Sequence, residues 1–141
     1  MTFDISLVQW PADPDAAARL LVSCILSAVE PLDVELGAES GDVLELARRY
    51  VRGEADAAEV QRVRTSLWGY IRSRDGVANF QDRDLLLARL ALCVLPPVAT
   101  DAPTLEEGLE FLLEVLRRLK LPTKDAMASI IEQLTPYLRK Q

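Results

Sequence analysis

Residues 84–95 read DLLLARLALCVL, and this stretch decides the fold. Between Leu85 and Leu95 only Arg89 carries charge. A helix that is apolar on nearly every side must be wrapped by other helices or by lipid. The run is too short for a bilayer, which needs about 20 apolar residues. It therefore reads as the central helix of a bundle, with amphipathic helices around it. The fold class is mainly α: about six helices in one domain spanning residues 1–141, with a short N-terminal strand or extended arm.

Working upstream, the segment Gly76 to Gln81 is a loop, and Asp75-Gly76 breaks the helix before it. That helix begins at Asp56, with Glu59 three residues on, a capping-box spacing. Val60, Val63, Leu67 and Ile71 form its inward stripe, with Trp68 and Tyr70 on the flanks. The preceding helix is capped by Ser40 and carries Leu44, Ala47 and Val51. Its last turn holds Arg48, Arg49 and Arg52, where cations meet the negative end of the dipole, and Gly53 stops it. The first helix opens at Asp13-Pro14, an N-cap followed by proline at the first helical position. Ala17, Leu20, Leu21, Cys24, Ile25 and Ala28 line its buried face, and Pro31 closes it. Before it, Thr2 to Trp10 alternates with the period of a half-buried strand. The partners open to that strand are Val34–Leu36 or a second copy of the chain; the alternative is an arm laid on the helices.

Downstream, Pro96 to Pro103 is a candidate hinge. Thr104 to Glu107 has the spacing of a capping box. Leu105, Leu109, Leu112, Leu116 and Leu119 then follow at spacings of four and three. This is either the inner face of a bundle helix or a short seam for a homodimer. Pro122-Thr123 starts a last helix with Ala126, Met127, Ile130, Ile131 and Leu134 facing inward.

Composition narrows the function. The 141 residues are enough to bury a core without metal or disulfide, and 50% hydrophobic residues argue against disorder. The formal charge of −6 disfavours a general nucleic-acid binder. The charge is uneven: residues 1–47 carry a net −8, residues 48–89 a net +3. Cys24 and Cys93 sit in apolar helical runs, read as buried small hydrophobes, and suit a reducing cytoplasm. No signal-peptide pattern is present at the N-terminus, and no stretch reads as a membrane anchor. The chain has no histidine. That removes the commonest general base, the commonest metal ligand and every His-activated nucleophile. Asp82 and Asp84 form a D-x-D pair, but at a helix start acids are expected without any metal. No glycine falls in a phosphate-loop spacing. The sequence thus points to a protein that is not an enzyme, has no cofactor or metal, and binds another protein.

Interface centres favour Trp, Tyr and Arg. The candidate partner surface therefore combines an acidic part, Asp33, Glu35, Glu39, Asp42 and Glu45, with Arg48, Arg49, Arg52, Arg62, Trp68 and Tyr70. The alternatives are a helical DNA-binding regulator using Arg62, Arg64, Arg72 and Arg74, and an oligomeric structural or secretion-chaperone protein. The segment Leu44 to Leu95, with LARRYVRGEADAAEV across two helices and Trp68 beyond it, resembles the small helical immunity proteins that accompany bacterial polymorphic toxins. The resemblance implies a cytosolic, non-catalytic protein that binds and blocks one cognate toxin. An acidic surface suits a basic nuclease toxin, because complementary charge speeds association.

Overall fold

The computed structural model describes residues 4–36 and 42–139. Among the described residues six α-helices make up the fold: α1 Pro14–Val29, α2 Val43–Val51, α3 Ala57–Ser73, α4 Arg83–Val94, α5 Ala102–Arg118 and α6 Lys124–Leu134. The protein is mainly α. No helix among the described residues is long and apolar enough to cross a membrane.

Aspartate starts five of these helices. Asp13, Asp42, Asp56, Asp82 and Asp101 each accept the backbone N–H three residues on, at 2.7–3.2 Å. Each bond satisfies one of the four N–H groups that a helix start leaves without a partner. The expected cap Ser40 lies outside the described residues; Asp42 holds that position. The box expected at Thr104 is corrected too. Asp101, three residues before Thr104, caps α5, and Thr104 donates both its N–H and its hydroxyl to that carboxylate, at 3.2 and 2.7 Å. Asp outcompetes Thr because an ionised acceptor binds a helix N-terminus more strongly.

Three helices end alike. Gly53, Asp75 and Lys120 take left-handed φ values of 78°, 52° and 60°. After each, an N–H reaches back six residues inclusive, Glu54 to Arg49, Gly76 to Ile71 and Leu121 to Leu116, at 2.8–2.9 Å. At the second end the left-handed residue is Asp75, although a glycine follows. Gly76 is needed for another reason: a Cβ there would lie 2.7 Å from Leu85 Cδ2 and 2.8 Å from the Ile71 carbonyl oxygen.

The core is one cluster drawn from all six helices. The helix α4 is central as expected: Leu85 to Ala91 are all buried and Leu90 is 0% exposed. It shares that role with α1, which packs on α2, α4, α5 and α6. Val22, Leu26 and Val29 are buried there as well as the expected face. The leucine seam of α5 lies inside this core, packed toward α4 and α1, with Leu112 and Leu116 at 0% exposure. None of it remains for a second copy of the chain.

The N-terminal segment is an arm, not a strand. Asp4 accepts the N–H and hydroxyl of Ser6, at 2.9 and 2.6 Å, and bends Ile5–Leu7 into a 3-10 turn. Among the described residues its backbone partner lies near the far end of the chain. Val8 forms a single antiparallel bridge with Leu138, through Gln9 N–H to the Tyr137 carbonyl at 2.7 Å and Arg139 N–H to the Leu7 carbonyl at 2.9 Å. The segment between α4 and α5 starts buried at Leu95 and Pro96, and Arg64 donates to the Pro96 carbonyl.

The glycines give a paired test. Gly69 lies within α3 with open space at its Cβ position. Gly69→Ala should raise the stability measured by urea unfolding by about 1 kcal/mol, from helix propensity. Gly76→Ala should lower it, because backbone as well as Leu85 must move.

Candidate functional site

The residues expected to form one partner surface fall into three places. The first is the connector after α1. Asp33, Glu35 and Asp42 are exposed there, and Asp33 has a left-handed φ of 51°. None of the three enters an ion pair among the described residues, although Asp42 is engaged as the α2 cap. Glu39 lies outside the described residues.

The second place is the α2–α3 turn. Arg48 donates to Glu30 at 3.1 Å and to Glu45 at 2.9 Å. Arg49 grips Glu59 with two bonds, at 2.5 and 3.2 Å. Arg52 pairs with Glu54 at 3.0 Å and reaches Glu45 at 3.7 Å. The charge of these arginines is thus already met inside the chain. Glu59 explains why its capping box is half-made: its N–H binds Asp56, while its carboxylate turns to Arg49 instead of back to the cap. The same guanidinium holds the Glu59 carboxyl below the usual glutamate range. Arg62 is exposed and adds only a longer-range attraction to Glu59.

The third place holds Trp68 and Tyr70, on opposite sides of α3. The Tyr70 hydroxyl accepts from Arg74 at 2.7 Å, and Arg74 also reaches Asp82 and Asp84 at 3.9 and 3.8 Å. The D-x-D pair therefore balances an arginine. Trp68 instead lines a cleft of about 230 Å³ between α1, α3, α4 and α5. Its walls are Leu21 and Ile25, Leu92 and Cys93, Pro96 to Val98, and Phe111. Two cations also line it, Arg64 and Arg89, and no acid does.

Arg89 is the charge inside the apolar run. It is 5% exposed. Its guanidinium lies 4.3 Å from the centre of the Phe80 ring and 5.5 Å from that of Trp68, and donates to the carbonyls of Gly76 at 3.2 Å and Val77 at 2.6 Å. Each ring contact is worth on the order of 1 kcal/mol. Arg89 thus latches the α3–α4 loop onto α4. Burial lowers the pKa of both Arg64 and Arg89, yet arginine stays protonated in proteins. Both Nε–H groups are buried without a hydrogen-bond partner.

Sequence reasoning marked Arg89 as an oddity but did not connect it to Trp68 or Arg64. The usable signal was a lone cation in an otherwise apolar helix, since such a group must find carbonyls, rings or an anion.

The cleft is equipped to hold a ligand more than to transform one. The nearby thiol is inert: burial pushes Cys93, like Cys24, up to about 12. No group of three or more Cys, Asp or Glu able to hold a metal occurs among the described residues. No protein-family model matches this chain, and no curated protein and no solved structure matches it.

Two outcomes test this description. Both cysteines should resist an aromatic disulfide reagent at neutral pH and react on unfolding in urea. The stability supplied by Glu59 should be complete above the ordinary glutamate value of 4.5 and fade as pH falls through its lower folded value. Glu59→Gln should flatten that part of the pH–stability curve.

Proposed function

We propose that this chain is a non-catalytic protein that binds another protein, and that its specific task is to neutralise a bacterial toxin in the cytoplasm. The observation that carries the reading is the exposed connector bearing Asp33, Glu35 and Asp42, whose negative charge no cation offsets among the described residues. The arginines beside it are already paired with Glu30, Glu45, Glu54 and Glu59, so this negative field is free to steer a basic partner. The resemblance of the α2–α3 region to immunity proteins supports the same reading.

The DNA-binding alternative has less support. Of its four arginines, Arg64 is tied to the Pro96 carbonyl and Arg74 to Tyr70, Asp82 and Asp84. The pair left on the surface, Arg62 and Arg72, is a small footprint for binding a polyanion. An oligomer built on α5 has lost its seam to the core.

The test uses the product of the reading frame adjacent to the gene. The two proteins should form an equimolar complex, and co-expression should cancel the partner's toxicity. Asp33→Asn combined with Glu35→Lys should slow association at low salt by about tenfold and leave dissociation nearly unchanged. No complex, or an unchanged association rate, overturns the reading.

A further inference from the structure

We infer that the cleft lined by Arg64, Trp68 and Arg89 is a binding site for a small apolar monocarboxylate, such as a short fatty acid or an arylalkanoic acid, whose carboxylate is taken by the two arginines. This inference is independent of the protein-binding reading, which rests on the connector after α1.

The charge of the cleft is the first argument. In a chain of net charge −6, its lining holds two arginines and no acid. Their desolvation is the second. Neither guanidinium makes an ion pair among the described residues, and each keeps a buried Nε–H without an acceptor. A desolvated cation is costly unless paired and hydrogen-bonded. The loop latch uses only Nη2 of Arg89, and the Pro96 bond only Nη2 of Arg64. A carboxylate is the acceptor that matches what remains, because its two oxygens can accept from the free N–H groups of both arginines and its charge offsets theirs.

The rest of the cleft specifies the body of the ligand. Leu21, Ile25, Leu92, Pro97, Val98 and Phe111 offer it apolar walls, and Val98 is 84% exposed at the rim. A volume of about 230 Å³ lies below the roughly 300–1,000 Å³ of sites for drug-sized ligands, so the body is small. Glu107, Glu110 and Glu114 line the adjoining groove, which shares Thr104, Gly108 and Phe111 with the cleft. Glu114 is met there by Arg117 and Arg118, but Glu107 and Glu110 enter no ion pair among the described residues and repel a second negative charge outside. That disfavours an acidic peptide and favours a single carboxylate with nothing charged behind it.

The probes are sodium acetate, butyrate, hexanoate and octanoate, with octanamide as the uncharged control. Binding is read by tryptophan fluorescence and by the Arg Nε–H signals in a nitrogen-correlated NMR spectrum. Octanoate should bind saturably, at least tenfold more tightly than octanamide and than acetate, and should shift two Arg Nε–H signals, one of which is absent in Arg64→Gln. Affinity should rise along the series until the cleft is full. Arg64→Gln should weaken octanoate at least tenfold with its unfolding curve unchanged. If that variant does not fold, Gly108→Met provides the second readout. A Cβ at Gly108 meets only Leu21 Cδ2, at 3.6 Å, so the side chain can enter the cleft and abolish binding. Equal affinity for octanoate and octanamide overturns the inference, as does octanoate binding unaffected by either variant. Absence of saturable binding overturns it too, and so does binding confined to an apolar–acidic peptide, which would make the cleft a protein-docking site.

Discussion

Two helices in this fold cannot be wetted, and the rest of the chain is arranged to keep them dry. Helix α1 buries Ala17, Leu21, Val22, Cys24, Ile25 and Val29, and α4 buries every residue from Leu85 to Ala91. Each buried leucine or isoleucine side chain is worth roughly 1.5–3 kcal/mol of transfer free energy, so exposing either helix would unfold the protein. The four other helices are amphipathic and act as the cover. That single demand explains why the leucine seam of α5 faces inward. It also explains why Arg89, in the middle of α4, had to be accommodated by two rings and two carbonyls instead of by water.

The charge asymmetry along the sequence takes on a different meaning in three dimensions. Much of the acidic N-terminal third is bound up in structure. Asp13 and Asp42 cap helices, Asp15 pairs with Arg19 at 2.8 Å, and Glu30 and Glu45 meet Arg48. Exposed ion pairs of this kind each contribute little to stability; they matter here because they cancel the arginine cluster. What survives cancellation is local: a negative connector after α1 and a positive, apolar cleft on a different set of elements.

The legible parts of the fold were those governed by nearby residues. Asp13-Pro14, Asp56 and the left-handed Gly53 announce helix ends within four residues of where they act, and the apolar run at 85–95 announces its own burial. For the N-terminal segment, alternation over Thr2 to Trp10 left strand and arm both open, and the local turn that Asp4 gives the backbone at Ile5–Leu7 decides for the arm. The cap at Thr104 was misplaced because an aspartate three residues earlier is the stronger acceptor. The candidate cleft was least legible of all. Its two arginines are separated by half of α3, the loop and half of α4, and only the packing of α3 against α4 brings them to one surface. Periodicity reveals which face a residue lies on, but it carries no information on which distant residue shares that face.

The bridge between Val8 and Leu138 has a consequence for motion. It closes a ring containing nearly the entire chain, yet the entropy of closure grows only with the logarithm of ring size, so a few backbone bonds suffice to hold it. Val8 is buried with the core and Leu138 packs against it, while Tyr137 beside them is solvent-exposed. Opening the ring therefore uncovers Val8 as well as breaking the bridge bonds, which ties residues 8 and 138 to the stability of the core.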